Sequence, residues 1–484
     1  MEPRAWRVAS HSQSMSVLQL LVLKSACALG LRDGWSVLKN ADAIHCTTDC
    51  HGSPGHFTQH VAPSVDACRS SCAKQPNCTI FAFNQKSNDC FWRTDKTWQI
   101  KASDHVVSGC LPTAVPGCPP APSPPPPRAP KHRAINVSNY ATKNTLGLEI
   151  VGNRILFAGG HVHGPNTSIL YDANQGIFTK NIVGNISANR SFGAGITAPG
   201  GFYTLVAGGQ SGSKKFANVD TFDAIYNAWS VLPSLSQARS FLAAANVVDP
   251  FTNHSYSLFG GGEVEDNKES SRVDIFDHST QTWLKPGDYL SKPRKKLAAA
   301  AAQGIIAFGG GYTSGEKHLK SRGYQAQVDI WNSSSHVWTT AMLSQPRQYV
   351  VAGATDSQIL FAGGFCSPCA GENTTTHRSN VVDIFDVRSN TWQSTKLSQR
   401  RSNLAVTCVG GRYVLFGGGT SEVPDPTLTN IKSNVVDIYD GLTQTWSVAK
   451  LSEARCCLGA GATENTAVFF GGGSGSIADI FEFH

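Results

Sequence analysis

The chain has 484 residues, which is long enough for two or three domains. Only 15% of the residues are charged and 46 are glycines, a composition that favours a β-rich fold with tight turns and argues against long helices or coiled coils. The net charge of +7 is spread thinly, and its small clusters at Arg128–Arg133 and Lys292–Lys296 are typical of a linker and a loop. We therefore expect no nucleic-acid partner.

The N-terminus has the features of a secretory leader. A basic start precedes the apolar run Val17–Leu23, and the small residues Ala26–Ala28 form a candidate cleavage site. The pattern predicts a signal peptide over residues 1–28. Because Lys24 interrupts the apolar run, a leader that is not cleaved and a start at Met15 remain alternatives. No stretch approaches the roughly 20 apolar residues of a membrane span, so we expect no segment to cross a membrane.

Seven of the 14 cysteines fall between Cys46 and Cys110. Such density in a short segment predicts a disulfide framework and an oxidising compartment, so we expect the protein to be extracellular or in the secretory pathway. Eight N-x-S/T sequons are candidate glycosylation sites and favour the same location. Their asparagines are Asn77, Asn136, Asn166, Asn185, Asn189, Asn253, Asn332 and Asn373.

The cysteine-rich segment contains a short helix pattern followed by two strand patterns. Cys68 and Cys72 are four residues apart, which places them on one face of a predicted helix. Cys78 comes directly before the alternating strand Thr79–Phe83, and Cys90 comes before a second strand. This arrangement resembles a PAN/apple domain over residues 46–110, in which a helix is joined by disulfides to a small sheet.

The resemblance to PAN/apple domains implies a set of disulfides and a role. It implies the bridges Cys68–Cys90 and Cys72–Cys78. Cys110 would pair with Cys50 or Cys46, and the cysteine left over would pair with Cys118, although spacing alone does not decide the connectivity. PAN/apple domains bind proteins or carbohydrates, so the resemblance favours recognition over catalysis. A disulfide-stabilised spacer without a ligand is the alternative.

Residues 111–131 form a predicted linker. They include ten prolines, among them the run Pro124–Pro127. Such a segment favours the polyproline II conformation and acts as a semi-rigid spacer between domains.

A repeated unit dominates the rest of the sequence. An apolar strand followed by two glycines occurs seven times, and successive pairs begin 49 to 54 residues apart. The pairs are Gly159-Gly160, Gly208-Gly209, Gly260-Gly261, Gly309-Gly310, Gly363-Gly364, Gly417-Gly418 and Gly471-Gly472. After each pair comes a strand of the form V-D-I-F-D, which is looser in the first copy, Ser168–Asp172. A turn, an aromatic residue and the motif L-S-x-x-R complete the unit, as in Leu343–Arg347.

Each part of the repeat has a structural reason. Alternating strands bury one set of side chains in a sheet. Glycine pairs allow backbone angles and close approaches that a Cβ atom prevents. The strand after each arginine is rich in small residues, as in Ala298–Ala302, which suits an inner strand in crowded surroundings. One unit therefore predicts four strands.

The double glycine and the spaced aromatic resemble the kelch family over residues 132–484. The resemblance implies an all-β fold in which seven four-stranded blades form a β-propeller. The seventh copy ends after its third strand, and we expect Ala134–Asn139 to supply its outer strand and close the ring. Closure removes open sheet edges, which otherwise promote aggregation.

One charged position recurs in the repeats and is a candidate ligand site. It would place seven cations around one mouth of the propeller, where they could bind an acidic peptide, a sulfated glycan or a sialic acid. The residues are Lys143, Arg190, Arg239, Arg294, Arg347, Arg401 and Arg455. The alternative is structural pairing with the recurring aspartates, because the repeat that lacks the arginine has Ile169 in place of the aspartate. We favour the structural alternative.

The remaining cysteines and histidines give weaker signals. Cys366 and Cys369 form a C-x-x-C motif, for which we expect a loop disulfide, because a zinc or redox site would need further features. Cys456-Cys457 and Cys408 are assigned to inner strands as buried thiols, with a vicinal disulfide as an alternative for the first two. A loop also holds His161 and His163 without a visible third ligand, so we expect no metal site.

Three classes of function fit the sequence. The first is a secreted or cell-surface recognition protein that binds protein or glycan ligands, which include anionic ones. For this class we expect no cofactor and no catalytic residues. The second is a sugar-active kelch enzyme, either a mutarotase or epimerase or a copper-radical oxidase. The oxidase is disfavoured because Tyr349 has no inner-strand histidine beside it. The third is a kelch-type adaptor, which the cysteine-rich segment contradicts.

Overall fold

The chain folds as two compact units that contain β-structure. The computed structural model describes five strands within residues 36–110, and residues 129–483 except 138–145, 160–167, 181, 183, 286, 317–322, 367–368, 370–376, 422–430 and 473–476. Leu29–Arg128 belongs to one unit and Ala129–His484 to the other. The described residues include no α-helix, only the 3₁₀ turns Glu265–Asn267 and Ser314–Glu316. None of the helical segments described is long and apolar enough to cross a bilayer.

The first unit contains a five-stranded antiparallel sheet. Its strands are Ser36–Leu38, Phe57–Val61, Ile80–Asn84, Asp89–Arg93 and Val106–Cys110. The predicted strand after Cys78 lies at the centre of this sheet, where Ile80 is opposite both Arg93 and Cys110. The predicted helix with Cys68 and Cys72, together with the side chains of the cysteines in this unit, lies outside the described residues.

The second unit contains seven four-stranded antiparallel sheets in a propeller-like arrangement. Each sheet begins at an inner strand, and these strands are rich in small residues in most sheets but not in the first, where the strand reads Leu-Gly-Leu-Glu-Ile. The inner strands are Leu146–Ile150, Ala194–Thr197, Ala243–Val248, Ala298–Ala302, Val351–Ala354, Ala405–Val409 and Gly459–Ala462. In the fourth sheet every inner residue is alanine, and buried and half-buried positions alternate. Small side chains therefore occupy the strands that lie closest to one another.

The other strands follow in chain order in the first six sheets, whereas the outer strand of the seventh comes from an earlier part of the chain. The second strands, which end before the glycines, are Arg154–Ala158, Tyr203–Ala207, Ser255–Gly260, Ile305–Gly309, Gln358–Ala362, Tyr413–Gly417 and Thr466–Phe470. The third strands are Ile169–Asp172, Val219–Asp223, Val273–Asp277, Gln327–Asn332, Val381–Asp386, Val435–Asp440 and Ile477–Glu482. The outer strands are Ile177–Thr179, Ala228–Leu232, Thr282–Trp283, Trp338–Met342, Thr391–Lys396, Thr445–Lys450 and Lys131–Asn136. Shorter pairings involve Gln210–Ser211, Lys214–Lys215, Arg401–Ser402, Thr420–Ser421 and Ile431–Lys432.

The seventh sheet takes its outer strand from the beginning of the second unit. Lys131–Asn136 pairs antiparallel with Ile477–Glu482, so this strand begins three residues earlier than the predicted Ala134–Asn139. In the observed register His132 stacks on Phe481, with ring centroids 4.6 Å apart, and its Nε2 lies 2.8 Å from Asp479. These contacts explain the earlier start, and they place Lys131 in the sheet and not in the linker.

Apolar side chains pack between neighbouring sheets. One cluster combines Leu205 and Val219 of the second sheet with Phe259 of the third. Another combines Phe157 of the first sheet with Phe470 of the seventh, and the two rings are 4.8 Å apart. Since burial of such side chains stabilises each by about 1.5–3 kcal/mol, these clusters are the main attraction between successive sheets.

The glycines after each second strand have a backbone that other residues rarely adopt. Gly261 and Gly262 have φ angles of 67° and 109°. A Cβ atom on Gly261 would lie 2.7 Å from the carbonyl oxygen of Arg294, and one on Gly262 would lie 2.8 Å from that of Ser240. The glycines therefore let the chain turn tightly against the two segments that lead into the inner strand of the same sheet and into that of the next sheet.

Candidate functional site

Six of the candidate cations are buried and form ion pairs within their own sheets. Each pairs with the aspartate of the third strand, and each arginine is at most 3% exposed. The pairs are Arg190–Asp220, Arg239–Asp274, Arg294–Asp329, Arg347–Asp383, Arg401–Asp437 and Arg455–Asp479. In the first sheet the aspartate position holds buried Ile169, and Lys143 lies outside the described residues.

The aspartate of each pair also holds the segment before the arginine. In the fifth sheet Oδ2 of Asp383 accepts from Arg347 at 2.5 Å, and Oδ1 accepts from the backbone N–H of Ser344 at 3.2 Å. Nη1 of Arg347 also donates to the carbonyl oxygens of Gly363 and Val381. One carboxylate thus fixes the L-S-x-x-R crossover to the sheet.

Burial acts against the charge of these arginines. Desolvation lowers the pKa of Arg239 to about 10, although Asp274 opposes the shift. The guanidinium still carries its proton at neutral pH. Because the described guanidinium groups already donate to carboxylates and carbonyls, the geometry favours their structural role, and ligand binding through them stays a prediction.

The residue two positions after each arginine lies in a left-handed turn. We call these six the turn residues. They are Phe192, Phe241, Lys296, Tyr349, Asn403 and Cys457, and their φ angles lie between 52° and 63°. Their backbones connect neighbouring sheets, since the N–H of Lys296 donates to Phe241 at 3.0 Å and that of Tyr349 donates to Lys296 at 3.0 Å. Such a backbone is costly for bulky residues, so its repetition here points to a constraint on where their side chains lie.

Aromatic side chains gather around these turns. Phe192 and Phe241 stack at 4.4 Å between centroids, and Tyr349 lies edge-on to Phe241 at 6.4 Å. Phe365, which follows the fifth glycine pair, lies 5.9 Å from Tyr349. Phe192 is 37% exposed and the others are half-buried. We call Phe192, Phe241, Tyr312, Tyr349 and Phe365, together with Lys296, the aromatic mouth.

A buried ion network lies beside the aromatic mouth. Glu263 accepts from Lys215 at 2.5 Å and from Lys295, and Lys295 also pairs with Glu269 at 3.3 Å. Lys215, Glu263 and Lys295 are each at most 7% exposed. The network joins loops of three successive sheets, and each of its charges has an opposite partner.

The polar groups of the aromatic mouth have shifted pKa values. Burial, with smaller effects of Glu263 and Cys457, raises the pKa of Tyr349 to about 12. Burial and the neighbouring Lys295 ammonium lower the pKa of Lys296, while Glu263 and Glu269 oppose that shift. At neutral pH the mouth therefore offers a protonated phenol and an amine that loses its proton more readily than an exposed lysine.

The cysteines of the second unit differ in state. Cys366 and Cys369 form the disulfide that the sequence predicts. Cys456 and Cys457 lie before the inner strand Gly459–Ala462 and are half-buried, so their assignment as buried inner-strand residues is wrong. The sulfur atoms of Cys456 and Cys457 are 3.2 Å apart as hydrogen-bonded thiols, not as a vicinal disulfide. Cys408 does lie on an inner strand, where it is half-buried.

No cluster of three metal-binding side chains occurs among the described residues. His161 and His163 lie outside them. Four sequon asparagines are exposed, namely Asn136, Asn185, Asn189 and Asn253. Asn332 is half-buried, and its side chain accepts from the N–H groups of two following serines. Asn77, Asn166 and Asn373 lie outside the described residues, and glycosylation stays a prediction at all eight.

Glu149 is the single charged residue in the seven inner strands, all of which the structure describes. It is half-buried, and desolvation together with Glu464 raises its pKa to about 7. Hydrogen bonds connect its strand to the next two, because Thr197 donates to the Glu149 carbonyl at 2.6 Å and Asn246 donates to the Thr197 carbonyl at 2.8 Å. A carboxyl group with this pKa can exchange protons near neutral pH.

Comparison with known proteins finds two similarities. A PAN domain model matches residues 39–110. The kelch-like protein terF of Aspergillus terreus (strain NIH 2624 / FGSC A1156) is 27% identical over 219 residues, which cover 43% of this chain and 44% of that protein. The chain therefore contains a PAN domain and is similar over part of its length to a kelch-like protein. Since the match spans less than half of either protein, it supports the repeat type and carries no activity across.

Sequence reasoning missed the aromatic mouth of the second unit. The turn residues differ from repeat to repeat, so no shared letter marks their position, whereas the arginine two residues earlier is constant. A signal was nevertheless present. Phe192, Phe241 and Tyr349 all follow an arginine by two residues, and an aromatic at a fixed distance from a repeated arginine predicts neighbouring rings once the repeats form adjacent sheets.

Proposed function

We propose that this is a secreted or cell-surface recognition protein whose aromatic mouth binds a protein or carbohydrate ligand. The aromatic mouth is the observation that carries the proposal. Grouped half-buried rings with one cation among them resemble a binding surface more than a core. The buried arginines then serve as the frame that positions the turn residues.

In this proposal the seven sheets are the blades of a closed kelch propeller. The pairing of Lys131–Asn136 with Ile477–Glu482 supports closure. The apolar cluster between the first and seventh sheets supports it as well. The aromatic mouth would then surround one opening of the central channel, because the turn residues come directly before the inner strands.

The chemistry of the mouth favours a particular ligand. Phe192, Phe241 and Tyr349 offer ring faces and edges, on which the apolar face of a sugar or a planar side chain can pack. Lys296 offers a cation that can bind an anionic group. We therefore favour a glycan or peptide that combines an apolar face with a carboxylate or sulfate.

The PAN domain provides a second contact in this proposal. PAN domains occur in extracellular proteins, which supports the proposed location. Two binding modules on one chain increase the effective concentration of the second ligand group and so increase avidity.

A glycan and peptide array tests the proposed function. The full secreted chain is applied to arrays that contain neutral, sialylated and sulfated glycans and acidic peptides. Selective binding that Phe241→Ala weakens is the expected result. Binding to no array member, or binding that is indifferent to Phe241→Ala, would count against a recognition role for the mouth.

A sugar mutarotase or epimerase is the second candidate, and Glu149 is the observation in its favour. Its raised pKa suits a group that both accepts and donates a proton near neutral pH. Polarimetry of freshly dissolved aldoses distinguishes the two candidates. A mutarotase would accelerate the optical change and lose that effect in Glu149→Gln, whereas a recognition protein would leave the spontaneous rate unchanged.

A further inference from the structure

Lys296 occupies an unusual position in the aromatic mouth. Its Nζ lies 4.7 Å from the ring centroid of Tyr349, 5.5 Å from that of Phe241 and 5.9 Å from that of Tyr312. Within the described part of the chain no carboxylate lies within ion-pair distance of this amine. The adjacent Lys295 uses Glu263 and Glu269 instead. The amine of Lys296 is therefore surrounded by aromatic rings, whereas the amine of Lys295 is surrounded by carboxylates.

This position favours the neutral amine. Half-burial among rings removes part of the water that stabilises an ammonium ion. The ammonium group of Lys295 is close enough to repel a positive charge on Lys296, although Lys295 itself pairs with carboxylates. Attraction to the ring faces acts in the opposite direction, as do Glu263 and Glu269, and the net effect is a lowered pKa. A desolvated lysine beside a second cation is the arrangement that activates an amine as a nucleophile.

We propose that Lys296 is a reactive amine that forms a reversible imine with an aldehyde or ketone held in the aromatic mouth. The neutral Nζ attacks the carbonyl carbon, and the oxygen takes up a proton as the C–N bond forms. The nitrogen gives up its two protons in turn, the new hydroxyl group takes up a second proton, and the C–O bond breaks as water leaves, so that two protons pass from nitrogen to oxygen overall. The products are an imine and one water molecule, so no oxidant or reductant is consumed.

The surroundings of Lys296 suit such a ligand. Phe241 and Tyr312 can pack against the carbon skeleton of a carbonyl compound, such as an open-chain sugar. The Tyr349 phenol stays protonated at neutral pH, since burial raises its pKa to about 12, and it can donate a proton where the carbonyl oxygen leaves. The proposal rests on the proposed function only in that both place a ligand in the same mouth.

Borohydride trapping with pyridoxal tests the reactivity of Lys296. The full chain is incubated with pyridoxal over a range of pH and reduced with sodium borohydride, and peptide mass spectrometry then measures labelling at each lysine. Two exposed lysines are internal controls. Lys214 lies over a single ring, at 5.4 Å from the centroid of Phe216, and Lys268 is 76% exposed.

We expect Lys296 to be labelled faster than both controls at pH 7, with the midpoint of its pH profile shifted to lower pH. Each unit of lowered pKa increases the neutral fraction about tenfold at a pH below both pKa values. A midpoint at or above that of Lys268, or labelling no faster than that of Lys214, would overturn the proposal.

Two variants complete the test. Lys296→Asn removes the amine while keeping a residue that accepts the left-handed turn, as Asn403 does at the same position. Phe241→Ala opens the ring surroundings and should move the pH midpoint of Lys296 towards that of Lys268. An unchanged midpoint would contradict the role given to the rings. Since pyridoxal labelling needs no array ligand, failure of the recognition proposal and failure of this one are distinguishable.

Discussion

At the scale of single residues, the Arg347–Asp383 pair shows how a buried charge can fix a crossover. The guanidinium is fully buried, and its two Nη groups donate to the carboxylate and to three carbonyl oxygens. Taking both charges out of water costs free energy, which the pairing offsets only while both partners are present. The pair is therefore a source of structural specificity more than of net stability.

Removing one member of this pair should destabilise the protein strongly. We expect Arg347→Ala to lower the free energy of unfolding by about 3–5 kcal/mol, because Asp383 is left as an unpaired buried charge. Guanidinium chloride unfolding, followed by tryptophan fluorescence, measures the change.

Lys268→Ala is the matched control for that measurement. It breaks an exposed contact of 3.9 Å with Asp266 and should change the free energy of unfolding by less than about 0.5 kcal/mol. Equal effects of the two substitutions would show that Arg347 is not part of the frame.

Glu149 should make stability depend on pH. Its pKa is raised from 4.5 to about 7 in the folded state. Between these values the unfolded chain ionises Glu149 while the folded chain keeps it protonated, so the folded state loses stability as the pH rises. The free energy of unfolding is not lowered by this titration below pH 4. Above pH 7 the full decrease of about 3 kcal/mol is reached.

The substitution Glu149→Gln removes this titration. We expect the variant and the original chain to melt alike at pH 4 and the variant to melt at a higher temperature at pH 8, in differential scanning calorimetry. Glu464, which also raises the pKa of Glu149, stays in place in both proteins. A difference in melting temperature that is constant from pH 4 to pH 8 would contradict the raised pKa.

Single residues were predictable where the sequence repeats them. Six repeats have both the arginine and the aspartate, and the first repeat has neither. Because the two residues are lost together, the sequence predicts that they pair. Lys296 was not predictable as a special residue. Its chemistry depends on Tyr312 and Tyr349, which come from different segments and become neighbours only through the packing of sheets.

At the scale of elements, the strand Lys131–Asn136 joins the beginning of the second unit to its end. It covers the edge of Ile477–Glu482, which would otherwise present unpaired N–H and C=O groups. Its existence was predictable, since the seventh repeat lacks an outer strand. Its exact start was not, because His132, Arg133 and Lys131 follow a proline-rich run and carry no alternating apolar pattern.

Loss of this strand should weaken the whole second unit. Replacing Lys131–Asn136 by a Gly-Ser segment of equal length removes the pairing and exposes an edge. We expect a lower melting temperature and concentration-dependent aggregation, measured by scanning fluorimetry and light scattering. The same replacement at residues 122–127, within the proline-rich run, should leave both unchanged. Equal behaviour of the two replacements would mean that the strand does not stabilise the second unit.

At the scale of the whole molecule, the number of repeats could be read from the sequence, but the residues of the proposed binding surface could not. Seven glycine pairs at regular spacing predict seven four-stranded units, and seven such sheets occur in the described chain. The aromatic mouth draws its side chains from four of these sheets. Spacing along the chain does not reveal which of many aromatic residues meet, because that depends on the turn conformation and on the order of the sheets.

Ligand binding by mouth variants tests the central claim most directly. The affinity of the strongest array ligand is measured by calorimetry for the original chain, for Phe241→Ala with Tyr349→Ala, and for Phe251→Ala. Phe251 is the matched control, an aromatic residue 85% exposed in the turn at the far end of the third inner strand. We predict a loss of about 2 kcal/mol or more, roughly 30-fold in Kd, for the mouth variant and no change for the control. Unchanged affinity in a folded mouth variant would contradict the account.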